Sequence, residues 1–352
     1  MDFSDVLIYG AYGYTGKLIV ELAVSKGYQP IVAGRDKEKV VALAEKYKLQ
    51  YNVFDIEDDQ AWDSSLQGIN LLLNCAGPFS LTIKKILPAC IRNSVNYTDI
   101  TGEITVFEYI SQYHNDALSK GIVLMPGTGF DVVPSDCLAA FLKNQMPEAT
   151  HLELAFDSRS GLSRGTALSV LNRFHEGSAY RKDGKIIIER IASESKSINY
   201  AGEDRHLVRV AWGDVFTAFH STGIPNISVY TGMPPKTQSM MRKAARFKGL
   251  IKRWPIQQIF RSMIKKRIDG PSENKRNSLQ TFLWGKVVNT QGHSITAELV
   301  VPESYKLTAI TAIMCAEGIL NGKVESGYTT PAKAFGHDFI MQVEGVSRKL
   351  TA

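Results

Sequence analysis

Three glycines near the amino terminus have the spacing of a dinucleotide-binding turn. Residues 6–16 read Val-Leu-Ile-Tyr-Gly-Ala-Tyr-Gly-Tyr-Thr-Gly, an apolar run that leads into Gly10, Gly13 and Gly16 before a helical pattern. Gly10 permits a tight turn, Gly13 lets the backbone approach a phosphate, and Gly16 lets the helix pack closely on the strand. The amides at the start of the helix would then face a pyrophosphate. Because the same string also occurs in strand–turn–helix units that bind nothing, the next segment decides the interpretation.

The second strand of this unit ends on a cation. Residues 30–35 read Pro-Ile-Val-Ala-Gly-Arg, so Arg35 stands where an NAD site has a carboxylate for the ribose 2′-hydroxyl. A guanidinium suits a 2′-phosphate, and we therefore expect NADP(H) as the cofactor. The alternative is that Arg35 is solvated and that Asp36 is an NAD-type acid. The residues predicted to contact the cofactor are Gly10, Tyr12, Gly13, Tyr14, Thr15, Gly16, Arg35, Asp55, Ala76, Gly77 and Pro78.

Polar side chains and glycines gather after three later apolar strands, in residues 74–79, 97–103 and 126–136. In a parallel sheet these strand ends share one edge with the glycine turn, which is where such sheets bind ligands. A reduction also needs a group that polarises the substrate and supplies a proton. The alternative is structural, since a side chain at a strand end can simply bind backbone groups. The candidate catalytic residues are Tyr97, Asp99, Glu103 and Asp131.

The elements that must position these residues alternate between strands and helices from residue 6 to residue 125. Near-continuous apolar strands in such an alternation predict a doubly wound parallel sheet. From residue 151 onward, alternating patterns predict a mostly antiparallel sheet. We therefore predict an α/β fold with a Rossmann domain, an inserted mixed α+β domain for substrate and catalysis, and a C-terminal helix that returns to the first domain. The predicted bounds are 1–130 plus 304–352 for the first domain and 131–303 for the second, with a loop at 327–331.

Composition is that of a soluble globular protein. The chain has 352 residues, which exceeds what one core usually serves, with 44% hydrophobic and 22% charged residues. The amino terminus is acidic and lacks a signal-peptide pattern, and no apolar run is long enough to span a bilayer. Four widely spaced cysteines and scattered histidines indicate a reduced, cytoplasmic protein without a metal site. The cysteines are Cys75, Cys90, Cys137 and Cys315.

Residues 242–268 carry ten Lys or Arg residues and no acid, whereas the rest of the chain is net negative. Apolar residues recur there at helical spacing, in one set from Phe247 to Trp254 and in another from Ile256 to Ile268. This pattern predicts two amphipathic helices with cationic faces, which suit peripheral contact with an anionic membrane or an acyl chain. The alternative is that the apolar stripes pack on the second domain. Nucleic acid is not expected as a partner, because no recognised module accompanies the charge.

Several ordered motifs together resemble a known family. They are Gly-Ala-Tyr-Gly-Tyr-Thr-Gly, Ala-Gly-Arg, Asn-Cys-Ala-Gly-Pro-Phe, Tyr-Thr-Asp-Ile-Thr-Gly-Glu, Pro-Gly-Thr-Gly-Phe-Asp-Val-Val-Pro-Ser-Asp, Trp-Gly, Tyr-Lys-Leu-Thr-Ala and Ala-Phe-Gly-x-Asp-Phe. The set resembles the saccharopine dehydrogenase-like oxidoreductases, and most of all the branch with the trans-acting enoyl reductases. The resemblance implies a Rossmann domain, an inserted α/β domain and NADPH. It does not imply the substrate, because family members reduce different bonds.

None of the fourteen tyrosines has a lysine four positions later, which excludes the short-chain dehydrogenase mechanism. We therefore expect an NADPH-dependent reductase of a C=C (enoyl) bond in an acyl or lipid-like substrate. One alternative is a saccharopine-type reductase of a C=N bond in an amino acid adduct, which would need guanidinium groups for the substrate carboxylates. Another is a non-catalytic NADP-binding redox sensor. The guanidinium groups available for such carboxylates are those of Arg164, Arg173, Arg205 and Arg209.

Overall fold

The chain divides into two units. The computed structural model describes residues 3–158, 160–174, 176–200, 202–246 and 254–351, with the backbone alone at 173, 200, 254–256 and 265. Within these ranges, the first unit consists of residues 3–133 and 305–335, and the second of residues 134–304 and 336–351. The middle of the chain is therefore inserted into the first unit.

The first unit contains a sheet of seven parallel strands. The strands are β1 (Val6–Tyr9), β2 (Ile31–Gly34), β3 (Tyr51–Val53), β4 (Leu71–Asn74), β5 (Asn96–Asp99), β6 (Val123–Met125) and β15 (Gly327–Tyr328), in the spatial order β15-β6-β5-β4-β1-β2-β3. Strand β1 lies in the interior of the sheet. Strands β2 and β3 follow on one side of it, and β4, β5, β6 and β15 follow on the other. The end of β1, where the strand order reverses next to β4, is the point at which such sheets bind ligands. Every residue of β1 and β4 is buried, as their continuous apolar sequences predict.

Helices connect these strands. They are α1 (Tyr14–Ser25), α2 (Lys37–Tyr47), α3 (Asp59–Ser65), α4 (Phe79–Asn93), α5 (Ile104–Ser111) and α6 (His114–Lys120). The sequence pattern suggests one helix from residue 106 to residue 120, but the structure has two, because the backbone leaves the helical conformation at Tyr113, with φ −92° and ψ 15°.

The second unit contains a mixed sheet. Its strands are β7 (His151–Asp157), β8 (Ser178–Lys182), β9 (Lys185–Glu189), β10 (Ser195–Tyr200), β11 (Glu203–Arg209), β12 (Asn226–Gly232), β13 (Gln280–Val288), β14 (Ser294–Pro302) and β16 (Ser347–Thr351). The main order is β10-β11-β12-β7-β13-β14-β16, and the hairpin of β8 and β9 joins at β12. Among the described strand pairs of this second sheet, only β7 and β12 run parallel. The α/β prediction, with a doubly wound parallel sheet and a mixed second part, is confirmed.

The remaining helices are α7 (Val133–Gln145), α8 (Arg164–Arg173), α9 (Asp214–Thr222), α10 (Pro235–Arg246), α11 (Trp254–Arg267), α12 (Glu273–Ser278), α13 (Ser304–Leu320) and α14 (Pro331–Phe335), with a 3₁₀ helix at Phe339–Gln342. Helix α7 packs directly on β13, since a Cβ atom on Gly285 would lie 2.6 Å from Leu142 Cδ1. No described helix is both long enough and apolar enough to cross a membrane.

Two C-terminal segments differ from the sequence prediction. Residues 327–331 are not all loop, because the Gly327 amide donates to Ile122 O at 2.8 Å and adds β15 to the sheet edge. Residues 336–351 lie in the second unit, since β16 pairs with β14. Both segments are short, and their strand character comes from a partner distant in sequence.

Candidate functional site

Gly10 forms the turn at the end of β1. Its φ is +77°, and its amide donates to Ala33 O of β2 at 2.9 Å. A Cβ atom here would lie 2.8 Å from Ala76 N and 2.9 Å from the Cys75 carbonyl carbon. Both the backbone conformation and the close approach of the segment after β4 therefore require glycine.

Gly13 and Gly16 have different surroundings. A Cβ on Gly16 would lie 2.6 Å from Gly10 O, so this glycine lets α1 pack on the turn. A Cβ on Gly13 would meet Gly10 O at 3.1 Å, and no other described atom beyond its chain neighbours lies within 4 Å. Gly13 is also the N-cap of α1, whose first turn has neither a capping side chain nor an acid. The open space and the helix N-terminus together fit a phosphate group.

Two cations follow β2 in the sequence, Arg35 and Lys39. Arg35 is exposed, and Lys39 is placed on the first turn of α2 with its Nζ 5.7 Å from the centroid of the Tyr12 ring. The same ring packs on Gly34, where a Cβ would lie 2.5 Å from Tyr12 Cε1. Tyr12 thus lies between the glycine turn and the end of β2, beside a positively charged patch. Sequence reasoning missed Lys39, although its position one helical turn after Arg35 is a readable signal.

Asp36 serves the helix that follows it. Its Oδ1 accepts from the Lys39 amide at 3.3 Å, and its Oδ2 accepts from Lys39 Nζ. These bonds to Lys39 hold the pKa of Asp36 below its usual value. As the N-cap of α2 it is engaged with backbone, which argues against the alternative of an NAD-type acid at this position.

The other predicted cofactor residues lie at the same edge of the sheet. Asp55 is exposed after β3, with its Oδ1 accepting from the Glu57 amide at 3.0 Å. The segment of Ala76, Gly77 and Pro78 follows β4 against Gly10, and its Ala76 amide donates to Asn74 Oδ1 at 2.9 Å. Tyr14 and Thr15 begin α1, with the Tyr14 ring edge-on to Tyr305 at 5.0 Å between centroids.

Tyr97 and Asp99 form a buried network at the end of β5. Both side chains are fully buried, and the Tyr97 hydroxyl donates to Asp99 Oδ2 at 2.7 Å. Asp99 Oδ1 accepts from the amides of Thr101 and Gly127 at 3.0 and 2.8 Å. Burial raises the pKa of Asp99 to about 6. The network therefore connects β5 with the loop after β6.

Glu103 is also buried, and it caps a helix. Its two carboxylate oxygens accept from the amides of Phe79 and Ser80 at 3.0 and 3.1 Å. These amides begin α4, whose N-cap is Pro78 and has no side chain that can accept a hydrogen bond. The carboxylate thus takes the place of a local capping residue.

Asp131 is the fourth candidate acid and is half-buried. Its Oδ2 lies 2.7 Å from the position of a Cβ on Gly102, so the carboxylate that follows β6 lies against the loop that follows β5. The structure thus brings Asp131 next to the segment that contains Asp99 and Glu103. Of the four candidate acids and phenols, it has the most exposed side chain.

Helix α13 also contributes to this edge. Thr308 Oγ1 accepts from the Phe130 amide at 3.0 Å, and the Thr311 hydroxyl donates to Thr128 O at 2.7 Å. These two hydrogen bonds connect the loop after β6 to a helix about 180 residues later in the chain. No local pattern in the sequence predicts them.

The arginines considered for substrate carboxylates mostly have acidic partners. Arg205 pairs with Asp157, and Arg209 binds both carboxylate oxygens of Glu189 at 2.6 Å each. Arg164 pairs with Asp269 at 2.6 Å, and the side chain of Arg173 lies outside the described part. Among the described residues, no group of three or more His, Cys, Asp or Glu could hold a metal ion.

Comparisons with known proteins agree with this geometry. Residues 6–125 match the saccharopine dehydrogenase NADP-binding domain. A human saccharopine dehydrogenase-like oxidoreductase is 28% identical over 203 residues, which is 50% of this chain and 47% of the relative. A protein of Mycobacterium tuberculosis, provisionally named a trans-acting enoyl reductase, is 29% identical over 181 residues, 47% of this chain and 43% of the relative. The chain thus matches less than half the length of each of these two relatives.

The structural similarity to a known protein covers more of the chain than the sequence similarity does. The structure of apo saccharopine dehydrogenase (L-Glu forming) from Saccharomyces cerevisiae superposes with a TM-score of 0.69, covering 99% of both chains at 14% identity. At this identity the likeness shows the fold alone. The predicted cofactor, NADP(H), is confirmed by the domain match. Residues 6–125 thus match the NADP-binding domain of saccharopine dehydrogenase, and about half of the chain is similar to saccharopine dehydrogenase-like oxidoreductases.

Proposed function

We propose that this protein is an NADPH-dependent reductase of a C=C (enoyl) bond in an acyl or lipid-like substrate. The observation that supports the reductase part is the glycine turn at the start of α1, where Gly13 is the N-cap, together with the exposed Arg35 after β2. The enoyl part is supported by the similarity to the mycobacterial relative.

The residues of the first unit have distinct proposed roles. The turn of Gly10, Gly13 and Gly16 holds the pyrophosphate, while Arg35 and Lys39 hold the 2′-phosphate. When bound, NADPH supplies the hydride. Reduction of an enoyl group then needs one proton at the neighbouring carbon.

We propose Asp131 as the group that relays this proton, because it is half-buried at the sheet edge. Tyr97, Asp99 and Glu103 are positioning residues in this proposal, since their oxygen atoms bind backbone groups or one another.

Reduction of a C=N bond in an amino acid adduct is the second candidate. It needs cations for two or more substrate carboxylates, but Arg205 and Arg209 are already neutralised by Asp157 and Glu189. This pairing favours a substrate with fewer carboxylates. A non-catalytic redox sensor is the third candidate, and it would bind NADPH through the same residues.

The proposal also includes peripheral contact with lipid through residues 242–268. A basic amphipathic segment would keep the reductase near an acyl substrate that partitions into membranes.

The test is to incubate the protein with NADPH deuterated at the transferred position and to follow the products by mass spectrometry. One reaction contains a long-chain α,β-unsaturated acyl thioester, and a matched reaction contains an amine with a 2-oxo acid. An unfractionated metabolite extract extends the search beyond these substrates.

We expect the acyl thioester to gain one deuteride and one proton, with one NADPH oxidised per product. The Gly13→Val variant is the control and should form no product. Deuterium in the amine adduct instead would establish the C=N alternative. Tight NADPH binding without any product in the thioester, amine or extract reactions would establish the sensor.

A further inference from the structure

The apolar face of helix α11 is turned toward solvent. Ile259 is 60% exposed, Phe260 40% and Met263 44%, and these three residues lie within an arc of about 100° on the helix. Large apolar side chains that cluster in this way on a surface mark an interaction site more often than single exposed ones do.

The helix contacts its own unit through a different face. Arg261 donates to Asn172 Oδ1 of α8 at 2.8 Å, and Arg164 of α8 donates to Ile268 O at 3.2 Å. Ile264 and Ile268 are half-buried on this side. The polar and half-buried face thus fixes α11 on α8 and leaves the apolar stripe outward. The sequence analysis gave packing of the apolar stripes on the second domain as an alternative. The exposed stripe from Ile259 to Met263 does not follow that alternative.

Positive charge lies next to this stripe on α11 and recurs at the end of α10. Lys266 and Arg267 are exposed on the last turn of α11, and Lys243 and Arg246 are exposed on the last turn of α10. The sequence from residue 242 to residue 268 contains no acid that could neutralise them. Phe247, Leu250 and Ile251, which belong to the same predicted amphipathic pattern, lie outside the described residues, as does the side chain of Trp254.

We infer that the face of Ile259, Phe260 and Met263 on α11 docks on an anionic phospholipid surface. The three apolar side chains enter the boundary between headgroups and acyl chains, and the flanking lysines and arginines bind lipid phosphates and carboxylates. Stable peripheral binding needs both signals together, and this helix supplies both. The inference rests on the lipid contact included in the proposed function and specifies its surface, whereas it does not depend on which bond the enzyme reduces.

The test is cosedimentation of the full-length protein with vesicles of phosphatidylcholine alone or with added phosphatidylserine. We expect binding only to the vesicles that contain phosphatidylserine, and loss of binding on going from about 0.1 M to about 1 M salt, because the Debye length falls from about 10 Å to about 3 Å.

Two pairs of variants test the apolar stripe and the flanking cations. Ile259→Glu with Met263→Glu should weaken partitioning about tenfold or more, since two apolar side chains lose their burial and two carboxylates then face the anionic surface. Ile188→Glu changes an equally exposed isoleucine on the edge strand β9 and should have no effect. Lys266→Gln and Arg267→Gln should each weaken partitioning about fivefold, whereas Lys182→Gln and Lys185→Gln in the β8–β9 hairpin should not.

Because every substituted side chain is solvent-exposed, thermal unfolding and NADPH binding should match those of the wild type. The inference is overturned if the wild type does not sediment with phosphatidylserine vesicles. It is equally overturned if Ile259→Glu with Met263→Glu binds as the wild type does. A concentration-dependent dimer that the same two substitutions dissociate would show that a second copy of the chain covers this face, which also overturns it.

Discussion

At the scale of single residues, the three glycines of the turn are alike in sequence but differ in what they do. Gly10 and Gly16 have backbone atoms within 3 Å of the place a Cβ would take. Gly13 has a single oxygen at 3.1 Å. Gly10 and Gly16 are therefore required by the fold, whereas a Cβ at Gly13 needs Gly10 O to shift by only a few tenths of an ångström and would mainly obstruct a ligand.

The first prediction separates these roles. Gly13→Val should abolish NADPH binding, because the side chain fills the phosphate space, and the variant should stay folded, because a Cβ there meets one backbone oxygen at 3.1 Å. Gly16→Ala should lower the free energy of unfolding by about 1–3 kcal/mol, because the helix must move off the turn. Urea unfolding and fluorescence titration with NADPH measure the two effects. Normal NADPH binding by Gly13→Val would place the cofactor elsewhere.

The second prediction concerns the charge after β2. Arg35→Ala and Lys39→Ala should each weaken NADPH binding by about 1.5–3 kcal/mol and leave NADH binding unchanged, since only NADPH carries the 2′-phosphate. Asp36→Ala should cost about 0.5–2 kcal/mol of stability through loss of the cap of α2. Titration of each variant with NADPH and with NADH measures the two affinities. If Asp36→Ala selectively weakened NADH instead, Asp36 would be an NAD-type acid.

At the scale of elements, helix α4 begins without a capping residue of its own. Pro78 precedes it, and the carboxylate of Glu103 accepts from its first amides. A residue at the end of one strand thereby supports the segment of Ala76 to Pro78 after the neighbouring strand. The acid that the sequence suggests for catalysis thus has a structural task.

The third prediction tests that task. Glu103→Ala should lower the free energy of unfolding by about 1–3 kcal/mol, because two partly buried amides lose their acceptor. Glu108→Ala, on the exposed face of α5, is the control and should change stability little. Denaturant unfolding gives both values. If Glu103→Gln kept full stability but lost all turnover, Glu103 would be a proton donor.

At the scale of the whole molecule, the free energy of unfolding depends on pH through the buried carboxyl group of Asp99 in the first unit. Asp99 is fully buried, and burial raises its pKa from 3.8 to about 6. The folded protein therefore holds a proton here that the unfolded chain releases between about pH 4 and pH 6. Since the folded state binds more protons in this range, the contribution of Asp99 to stability falls as the pH rises through it.

The fourth prediction follows from this sign. Asp99→Asn removes the titration, so its stability relative to wild type should rise by about 2–3 kcal/mol between pH 4 and pH 7. Urea unfolding of both proteins at each pH measures the difference. Asp116→Asn, on the surface of α6, should show no such change. A constant difference between Asp99→Asn and wild type would mean that Asp99 is ionised in the folded protein throughout this range.

The sequence by itself determined the features that depend on a local backbone requirement or a period. The spacing of Gly10, Gly13 and Gly16, the cation at Arg35 and the alternation of apolar strands with helices predicted the parallel sheet and its cofactor. These signals are readable because each rests on a few consecutive residues, whose conformation or burial only certain side chains allow.

The tertiary structure alone decided what depends on partners far apart in the chain. Glu103 accepts a hydrogen bond from the Phe79 amide, and Thr308 accepts one from the Phe130 amide. Strand β16 pairs with β14. The tertiary structure also decided which face of α11 is buried, because a helical period shows that an apolar stripe exists but not which side the neighbouring helix covers. Hydrogen bonds and packing between distant segments leave no pattern in any single window of the sequence.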